Sequence, residues 1–222
     1  MTHEHRTDDC RPQKYRAVPI RVDSGVHTLQ RVHMALSQQP LSPTLWRTCR
    51  ALANRVRLRM LRVLFRDGEL PVSAAASAAG ASRIVATQYL RALSARGLLA
   101  TRREGRWVFY RPCADASVHG AAELLQAIEK TFARRRKPVE AIFRQATAFT
   151  HPRRVRIARA LANGPMTRGA LARTTGISRI ALQRHLAKLA ARGFVKMTAG
   201  MCRLAPPRGP LAATLLRLAC GK

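Results

Sequence analysis

Two related segments of the sequence each carry arginine and glutamine side chains. They are "GASRIVATQYLRALSARGL", from Gly80 to Leu98, and "GISRIALQRHLAKLAARGF", from Gly176 to Phe194. An arginine guanidinium can bond O6 and N7 of guanine as a fork, and a glutamine amide can pair with N6 and N7 of adenine. Such side chains on the open face of a helix point to recognition of base edges in double-stranded DNA.

The candidate contacts are the polar residues that lie away from the apolar stripe of each segment. In the first segment that stripe consists of Ala86, Leu90 and Leu93, at helical spacing. The candidates are Ser82, Arg83, Thr87, Gln88 and Arg91 in the first segment, and Ser178, Arg179, Gln183, Arg184 and Lys188 in the second. The predicted recognition helices run over about 82–96 and 178–192.

Not every polar position in these helices need read a base. The two serines are suited to cap their helices, and Arg91 and Lys188, late in theirs, are either solvated or placed to touch phosphate. Ile84 and Ile180 stand at open positions. Two interpretations remain for them: contact with a thymine methyl group, or packing beneath a neighbouring hairpin.

A second set of cations lies on predicted hairpins. After the first recognition helix the hydrophobic period falls to two, and "LLATRREGRWVFYR" predicts a strand, a turn at Glu104-Gly105 and a second strand. The turn is surrounded by Arg102, Arg103 and Arg106, which would contact a minor groove or the phosphate backbone. The second hairpin, which turns at Ala199-Gly200, offers Lys196 and Arg203, which would contribute fewer charges to the same kind of contact.

The elements that position these residues occur twice in the chain. Aligned with a shift of 96, the two quoted segments share nine identical residues in nineteen positions, and "LANRVRLRMLRVL" lies over "FTHPRRVRIARAL" at a shift of 97. The repeated unit is about 70 residues, the size of a small domain rather than of a solenoid repeat.

Each repeat predicts helix, helix, a small-residue helix ending in glycine, a capped recognition helix and a hairpin. The predicted fold class is therefore mainly α with small β-hairpin wings, as two winged helix-turn-helix domains in tandem. The predicted boundaries are a largely disordered segment over 1–40, a first domain over 41–112, a connecting helix over 113–138, and a second domain with a C-terminal helix over 139–222.

At these residues the chain resembles a known family. "ALANRVRLRMLRVL", the helix that begins at Ser82 and "GLLATRREGRWVFYR" together look like the winged helix-turn-helix of the ArsR-type bacterial transcription regulators. The resemblance covers the first repeat well and the helices of the second repeat. It implies a DNA-binding regulator that acts as a dimer, whereas this chain carries two such units.

Composition supports a polyanionic partner. The chain has 41 Lys and Arg against 11 Asp and Glu, a net charge of +30, and the excess falls on the repeats: 14 basic against 3 acidic residues over 41–112, and 16 against 1 over 139–222. With no apolar run long enough for a membrane span and no signal peptide, we expect a cytoplasmic, nucleoid-associated protein with no membrane partner.

Metal chemistry and catalysis find little support in the sequence. Where many relatives of the resembled family carry a cysteine pair, this chain reads Pro71 and Ser73, and the set Asp115, His119 and Glu123 has no second histidine at useful spacing. The five cysteines are scattered, which predicts no structural disulfide. We therefore expect no enzyme activity, no catalytic residues, no metal and no cofactor.

Three functions follow as hypotheses. The first is a sequence-specific double-stranded DNA-binding transcriptional regulator that uses both recognition helices in major grooves. The alternative is an architectural or replication-type DNA-binding protein with little sequence specificity. A protein-binding scaffold is the third, and the exposed arginines oppose it. A heptad-like stripe within 117–135, which includes Val118, Leu125 and Phe132, additionally suggests a homodimer through that helix.

Overall fold

The computed structural model describes residues 44–221. In this part the chain is mainly helical, with ten α-helices and two small three-stranded antiparallel sheets. The coarse prediction of a mainly α fold with small β-hairpins is confirmed. The prediction made for residues 1–40 lies outside the described residues.

The two halves of the described chain contain the same elements in the same order. The first half consists of α1 (Leu45–Leu52), α2 (Arg55–Asp67), β1 (Leu70–Pro71), α3 (Val72–Ala79), α4 (Arg83–Ser94), β2 (Leu99–Glu104), β3 (Trp107–Pro112) and α5 (Ala121–Arg134). The second half consists of α6 (Pro138–Ala146), α7 (Pro152–Leu161), β4 (Met166–Thr167), α8 (Arg168–Thr175), α9 (Arg179–Ala191), β5 (Val195–Thr198), β6 (Met201–Leu204) and α10 (Pro210–Cys220). The predicted recognition helices correspond to α4 and α9.

A left-handed glycine separates the small-residue helix from the predicted recognition helix in each half. Gly80 ends α3 at φ +64° and Gly176 ends α8 at φ +62°, a conformation that glycine adopts without steric cost. The hydroxyl of Ser82 then accepts a hydrogen bond of 3.3 Å from the backbone N–H of Val85, as predicted for a cap. Ser178 occupies the equivalent position, but its side chain makes no capping bond.

Each sheet has one strand more than the predicted hairpin. The strand orders are β1-β3-β2 and β4-β6-β5, and the additional strands β1 and β4 have only two residues each. In the first hairpin Glu104 pairs with Trp107, so the turn lies at Gly105-Arg106, one residue later than predicted. In the second, Thr198 pairs with Met201, and the turn lies at Ala199-Gly200 as predicted.

The two halves pack through equivalent elements. Helix α1 contacts α6, α5 contacts α10, and the contact of α2 with α6 is matched by that of α1 with α7. Such reciprocal contacts are the pattern of an interface with two-fold symmetry, here formed within one chain. The buried apolar residues of both halves form one continuous core.

The connecting helix is part of this intramolecular interface. Its stripe residues Ala121, Leu125 and Ile128 are buried, and α5 packs on α10 and α6. The helix also begins at Ala121, later than predicted. Because the chain covers this stripe with its own C-terminal helix, the reason for expecting a homodimer through 117–135 is removed.

An exposed ion pair links α2 of the first half to α6 of the second half at the surface of this interface. The guanidinium of Arg55, on α2, bonds both carboxylate oxygens of Glu140, on α6, at 2.6 and 2.9 Å. The same guanidinium lies 3.9 Å from the ring centroid of Phe143. A forked bond combined with stacking on a ring fixes the direction of an arginine more firmly than either contact alone.

Candidate nucleic-acid interface

Helices α4 and α9 each bury one face and expose the opposite one. Ala86, Leu90 and Leu93 of α4 are buried in the core, as the apolar stripe predicts. Seven of the predicted contacts on the opposite faces carry a long polar side chain and are exposed. The exposed long polar side chains are Arg83, Gln88 and Arg91 on α4, and Arg179, Gln183, Arg184 and Lys188 on α9.

Two shorter side chains of α4 are engaged within the helix. The hydroxyl of Thr87 donates a hydrogen bond of 2.8 Å to the carbonyl oxygen of Arg83, and Ser82 serves as the N-cap. Thr87 is also half-buried. Gln88 and the arginines therefore remain the side chains of α4 that are best placed to reach another molecule.

The isoleucines at the second position of each helix are open to solvent. Ile84 is 73% exposed and Ile180 is 71% exposed. Neither is covered by its hairpin, so the interpretation that they pack beneath it is wrong. Among the described residues the other large apolar side chains with high exposure are Trp107 and Met197, both in the hairpins.

In the first hairpin Arg102 is held by two carboxylates. It bonds Glu69 at 2.8 and 3.0 Å and Glu104 at 2.6 Å, while its guanidinium lies 4.6 Å from the ring centroid of Phe109. The hydrogen bonds to Glu69 and Glu104 raise the pKa of Arg102 above its ordinary value. Of the three predicted hairpin arginines, this one has its charge balanced by two carboxylates and three of its five N–H groups already bonded, which leaves it less available to a phosphate.

The other two arginines of this hairpin extend from its tip. Arg103 is exposed, and Arg106 occupies the turn with its guanidinium 5.2 Å from the ring centroid of Trp107. Because no carboxylate bond to either is present in the described part of the chain, these two supply the available positive charge of the first hairpin.

The second hairpin places two cations directly opposite each other. Lys196 on β5 and Arg203 on β6 are cross-strand partners in the register, and both are exposed. Like charges at such positions disfavour the pairing of the strands. An anion bound between them would relieve that repulsion, which is the electrostatic setting expected at a phosphate contact.

Arg168 is a basic residue of this surface that the sequence interpretation missed. It is the first residue of α8, and with Arg179, Leu182 and Gln183 it lines an open cleft of about 350 Å³. The cleft is formed where α8 meets α9, next to two of the predicted contacts. Helix α8 has a mixed polar sequence, which gives little indication of which side chains face a partner. The available signal for Arg168 was its place as the first residue of the helix before the turn.

A second basic surface lies at the junction of α5 and α6. Arg135, Arg136 and Lys137 line an open cleft of about 450 Å³ together with Ala141. Arg135 also donates a hydrogen bond to the backbone oxygen of Arg208. The sequence run "RRRK" was the available signal for this cluster, which adds to the positive charge of the described surface.

Different side chains attach the two predicted recognition helices to the start of the second helix of their repeat. In the first half the amide of Asn54, the N-cap of α2, donates to the hydroxyl of Tyr89 on α4 at 3.3 Å. In the second half the rings of His151, the N-cap of α7, and His185 on α9 lie 4.7 Å apart between centroids. The residues in each pair occupy equivalent positions of the two repeats.

Burial lowers the pKa of both histidines. For His151 the positive charges of Arg154 and Arg153 lower it further. For His185 the additional causes are His151, the same two arginines and Lys188. The pair is therefore held in the neutral state near pH 7, while its neighbours are cationic.

An arginine of the second helix secures the preceding turn in each half. Arg57 donates to the carbonyl oxygen of Ala51 at 3.1 Å, and Arg154 donates to that of Ala148 at 2.5 Å. Burial lowers the pKa of both arginines. These two arginines are structural, unlike the exposed arginines of α4 and α9.

The weak metal candidates are separately engaged. Asp115 accepts hydrogen bonds from the backbone N–H and the hydroxyl of Ser117, and Glu123 pairs with Arg217. Residues 44–221 contain no group of three or more potential ligands close enough to hold a metal ion.

The prediction that the chain has no disulfide is wrong, because Cys113 is disulfide-bonded.

None of the helices described is both long and apolar enough to cross a membrane.

Among protein families, the model of the HVO_A0261 N-terminal domain matches residues 144–214. The match extends from the end of α6 into α10 and thus includes α9 and the second hairpin. No curated protein matches the chain. The second repeat is therefore similar to the HVO_A0261 N-terminal domain.

Proposed function

We propose that the protein is a sequence-specific, double-stranded DNA-binding transcriptional regulator. In this proposal α4 and α9 enter major grooves and the hairpins contact the backbone or a minor groove. The observation that carries the proposal is the exposure of equivalent cationic side chains, Arg83 and Arg179, at the N-terminal ends of two helices that a symmetric intramolecular interface joins. Burial of either side chain would have argued against it.

The local architecture supports the winged helix-turn-helix interpretation. In each half a small-residue helix, a left-handed glycine, a second helix and a hairpin follow one another, which is the order of a winged helix-turn-helix. We extend the resemblance to the ArsR-type regulators from the sequence to this arrangement. The two halves of one chain would then act as the two subunits of a dimer do.

A pair of such units binds two half-sites on one face of the duplex. Recognition helices related by a two-fold axis enter successive major grooves about 34 Å apart. In the first repeat the central polar pair is Thr87-Gln88, and in the second it is Gln183-Arg184. The operator would therefore consist of two half-sites that differ in sequence.

The exchange of these central pairs between the repeats tests the proposal. One variant carries Thr87→Gln and Gln88→Arg together with Gln183→Thr and Arg184→Gln. Its composition and net charge equal those of the original chain, so non-specific attraction to DNA is unchanged. We expect binding-site selection to return the original half-sites in reversed order. The same sites in the same order would contradict base reading by these helices.

The alternative function, an architectural or replication-type protein, is tested in the same assay. It is favoured by the opposed cations Lys196 and Arg203 and by the basic cleft at Arg135, which suit phosphate contacts without sequence preference. Competition between selected and random duplexes at two salt concentrations distinguishes the two functions. Equal affinities with a steep dependence on salt would support the alternative.

A further inference from the structure

We propose that Ile84 and Ile180 read the 5-methyl group of one thymine in each half-site, an inference that rests on the proposed function. These residues are the same amino acid at equivalent positions, and their side chains are 73% and 71% exposed. A single exposed isoleucine is ordinary on a protein surface. Here two occur at the same step of two helices that differ at most neighbouring positions.

The comparison of the two repeats separates shared from divergent positions. Ser82, Arg83 and Ile84 are identical to Ser178, Arg179 and Ile180, whereas the next residues change from Val-Ala-Thr-Gln to Ala-Leu-Gln-Arg. If the divergent positions read the unlike parts of the half-sites, the identical positions read what the half-sites share. The arginine would contribute a contact to guanine and the isoleucine a contact to thymine.

The side chain itself suits a rigid apolar contact. Isoleucine is branched at Cβ, which leaves one strongly preferred χ1 rotamer in a helix. Little side-chain entropy is therefore lost when it docks. The position in the first turn of each helix is also where recognition helices approach base edges most closely.

The charges around the isoleucines decide between possible occupants of this surface. Ile84 lies beside Arg83 and on the same helix as exposed Gln88 and Arg91. Ile180 lies beside Arg179, which lines one cleft together with Arg168. The occupant must therefore combine negative charge with small apolar groups. The major groove of DNA does so, because thymine methyl groups line a groove flanked by phosphates. A docked protein is the other occupant, and the experiment below excludes or reveals it.

Replacement of thymine by deoxyuridine in a selected operator duplex tests the proposal. Deoxyuridine lacks the 5-methyl group and keeps every hydrogen-bonding group. Each thymine is replaced singly, and affinities are measured for the full chain and for the Ile84→Ala and Ile180→Ala variants. Alanine is a stronger helix former than isoleucine, and the removed atoms are exposed, so both variants should remain folded; thermal unfolding checks this.

We expect one thymine in each half-site whose replacement weakens binding of the original chain by about three- to five-fold, as the loss of one buried methyl group implies. In the variant that lacks the isoleucine of the same half-site, that replacement should not change the affinity. In the same variant, replacement of the corresponding thymine in the other half-site should still weaken binding. This crossed pattern is a double-mutant cycle between one side chain and one methyl group.

Other outcomes overturn one proposal or the other. Specific binding without a methyl-dependent thymine would overturn the isoleucine contact and leave the regulator standing. Equal loss of affinity for thymine and deoxyuridine duplexes on Ile84→Ala would also overturn the contact, as would unchanged DNA binding in both variants, which points instead to a docked protein. Failure to distinguish any selected duplex from random DNA would overturn the proposed function itself.

Discussion

The histidine pair shows how single residues distinguish two otherwise similar halves. Asn54 and Tyr89 hold α4 through one hydrogen bond that does not depend on protonation near neutral pH, whereas His151 and His185 hold α9 through neutral rings surrounded by cations. Protonation would place two more positive charges beside Arg153 and Arg154. The second half should therefore be the more sensitive to acid.

This difference gives a prediction for stability against pH. The pKa of both histidines is lower in the folded chain than the ordinary value near 6.5, so the unfolded chain binds more protons just below that pH. The free energy of unfolding should decrease as the pH falls below about 6.5 and be unaffected by these groups above it. Urea unfolding at pH 7.5 and at pH 5 measures the change.

The matched control replaces the pair by its counterpart from the first repeat. In the His151→Asn, His185→Tyr variant this component of the pH dependence should disappear, because neither new side chain titrates between pH 5 and 7.5. The reverse change, Asn54→His with Tyr89→His, would be expected to introduce it in the first half. An unaltered pH profile in the first variant would show that the pair does not contribute.

At the residue scale, helical periodicity predicted exposure well and partners poorly. The stripe that includes Leu90 and Leu93 determines which side of α4 faces solvent, so the exposure of Arg83 and Gln88 followed from spacing alone. The contact of Arg102 with Glu69 did not, because it joins residues 33 positions apart and depends on how the first sheet pairs. Long-range side-chain pairing has no periodic signal.

At the element scale, the sequence predicted helices better than the edges of the sheets. The glycines that end the helices and the cap at Ser82 placed α3 and α4 within a few residues. The strands β1 and β4 were missed because two residues cannot show an alternation of apolar and polar side chains. The turn of the first hairpin was misplaced by one residue because both Glu104-Gly105 and Gly105-Arg106 contain the required glycine.

The glycines that follow α4 and α9 give a prediction at this scale. Gly97 and Gly193 have φ of +69° and +82°, so alanine at either position is strained. At Gly97 a Cβ atom would also lie 2.8 Å from Cγ2 of Val118, whereas at Gly193 it would meet nothing within 4 Å. We therefore expect Gly97→Ala to be the more destabilising of the two substitutions.

Thermal or urea unfolding of the two variants measures the difference. Gly193→Ala should cost about 1 kcal/mol from backbone strain alone. Gly97→Ala should cost more, and Val118→Ala should restore only part of the excess in the double variant, because the Cβ of residue 118 would still lie 2.9 Å from the new Cβ atom. Equal losses in both single variants would mean that the segment after the first hairpin moves aside without cost.

At the scale of the whole molecule, the heptad-like stripe was detected but its partner was not. A sequence shows that Leu125 and Ile128 need an apolar surface, and either a second chain or a distant helix can provide it. The structure assigns α10 of the same chain. The C-terminal helix is 76 or more residues further along, and no local pattern connects the two.

If the proposed function holds, the intramolecular interface predicts a fixed spacing between the two half-sites. Because the halves share one continuous core, the separation of α4 and α9 should not adapt to longer operators. Inserting five base pairs between the half-sites would rotate one of them to the opposite face of the duplex, and inserting ten would restore the face but not the distance. Both insertions should reduce affinity to that of a single half-site.

Titration of labelled duplexes measures affinity and stoichiometry together. One chain per operator is expected for the original spacing. A duplex with ten added base pairs that binds as tightly as the original would show that the halves separate on DNA. Two chains on each operator would show that each chain uses only one of its helices.

The burial of α5 against α10 has a further consequence for how little of the protein is needed. A regulator assembled from two chains dissociates into halves when it is scarce, so its effective affinity falls steeply with its own abundance. Here peptide bonds keep the halves together at any dilution. Occupancy of the proposed operator would then rise in simple proportion to copy number at low levels, without a threshold set by assembly.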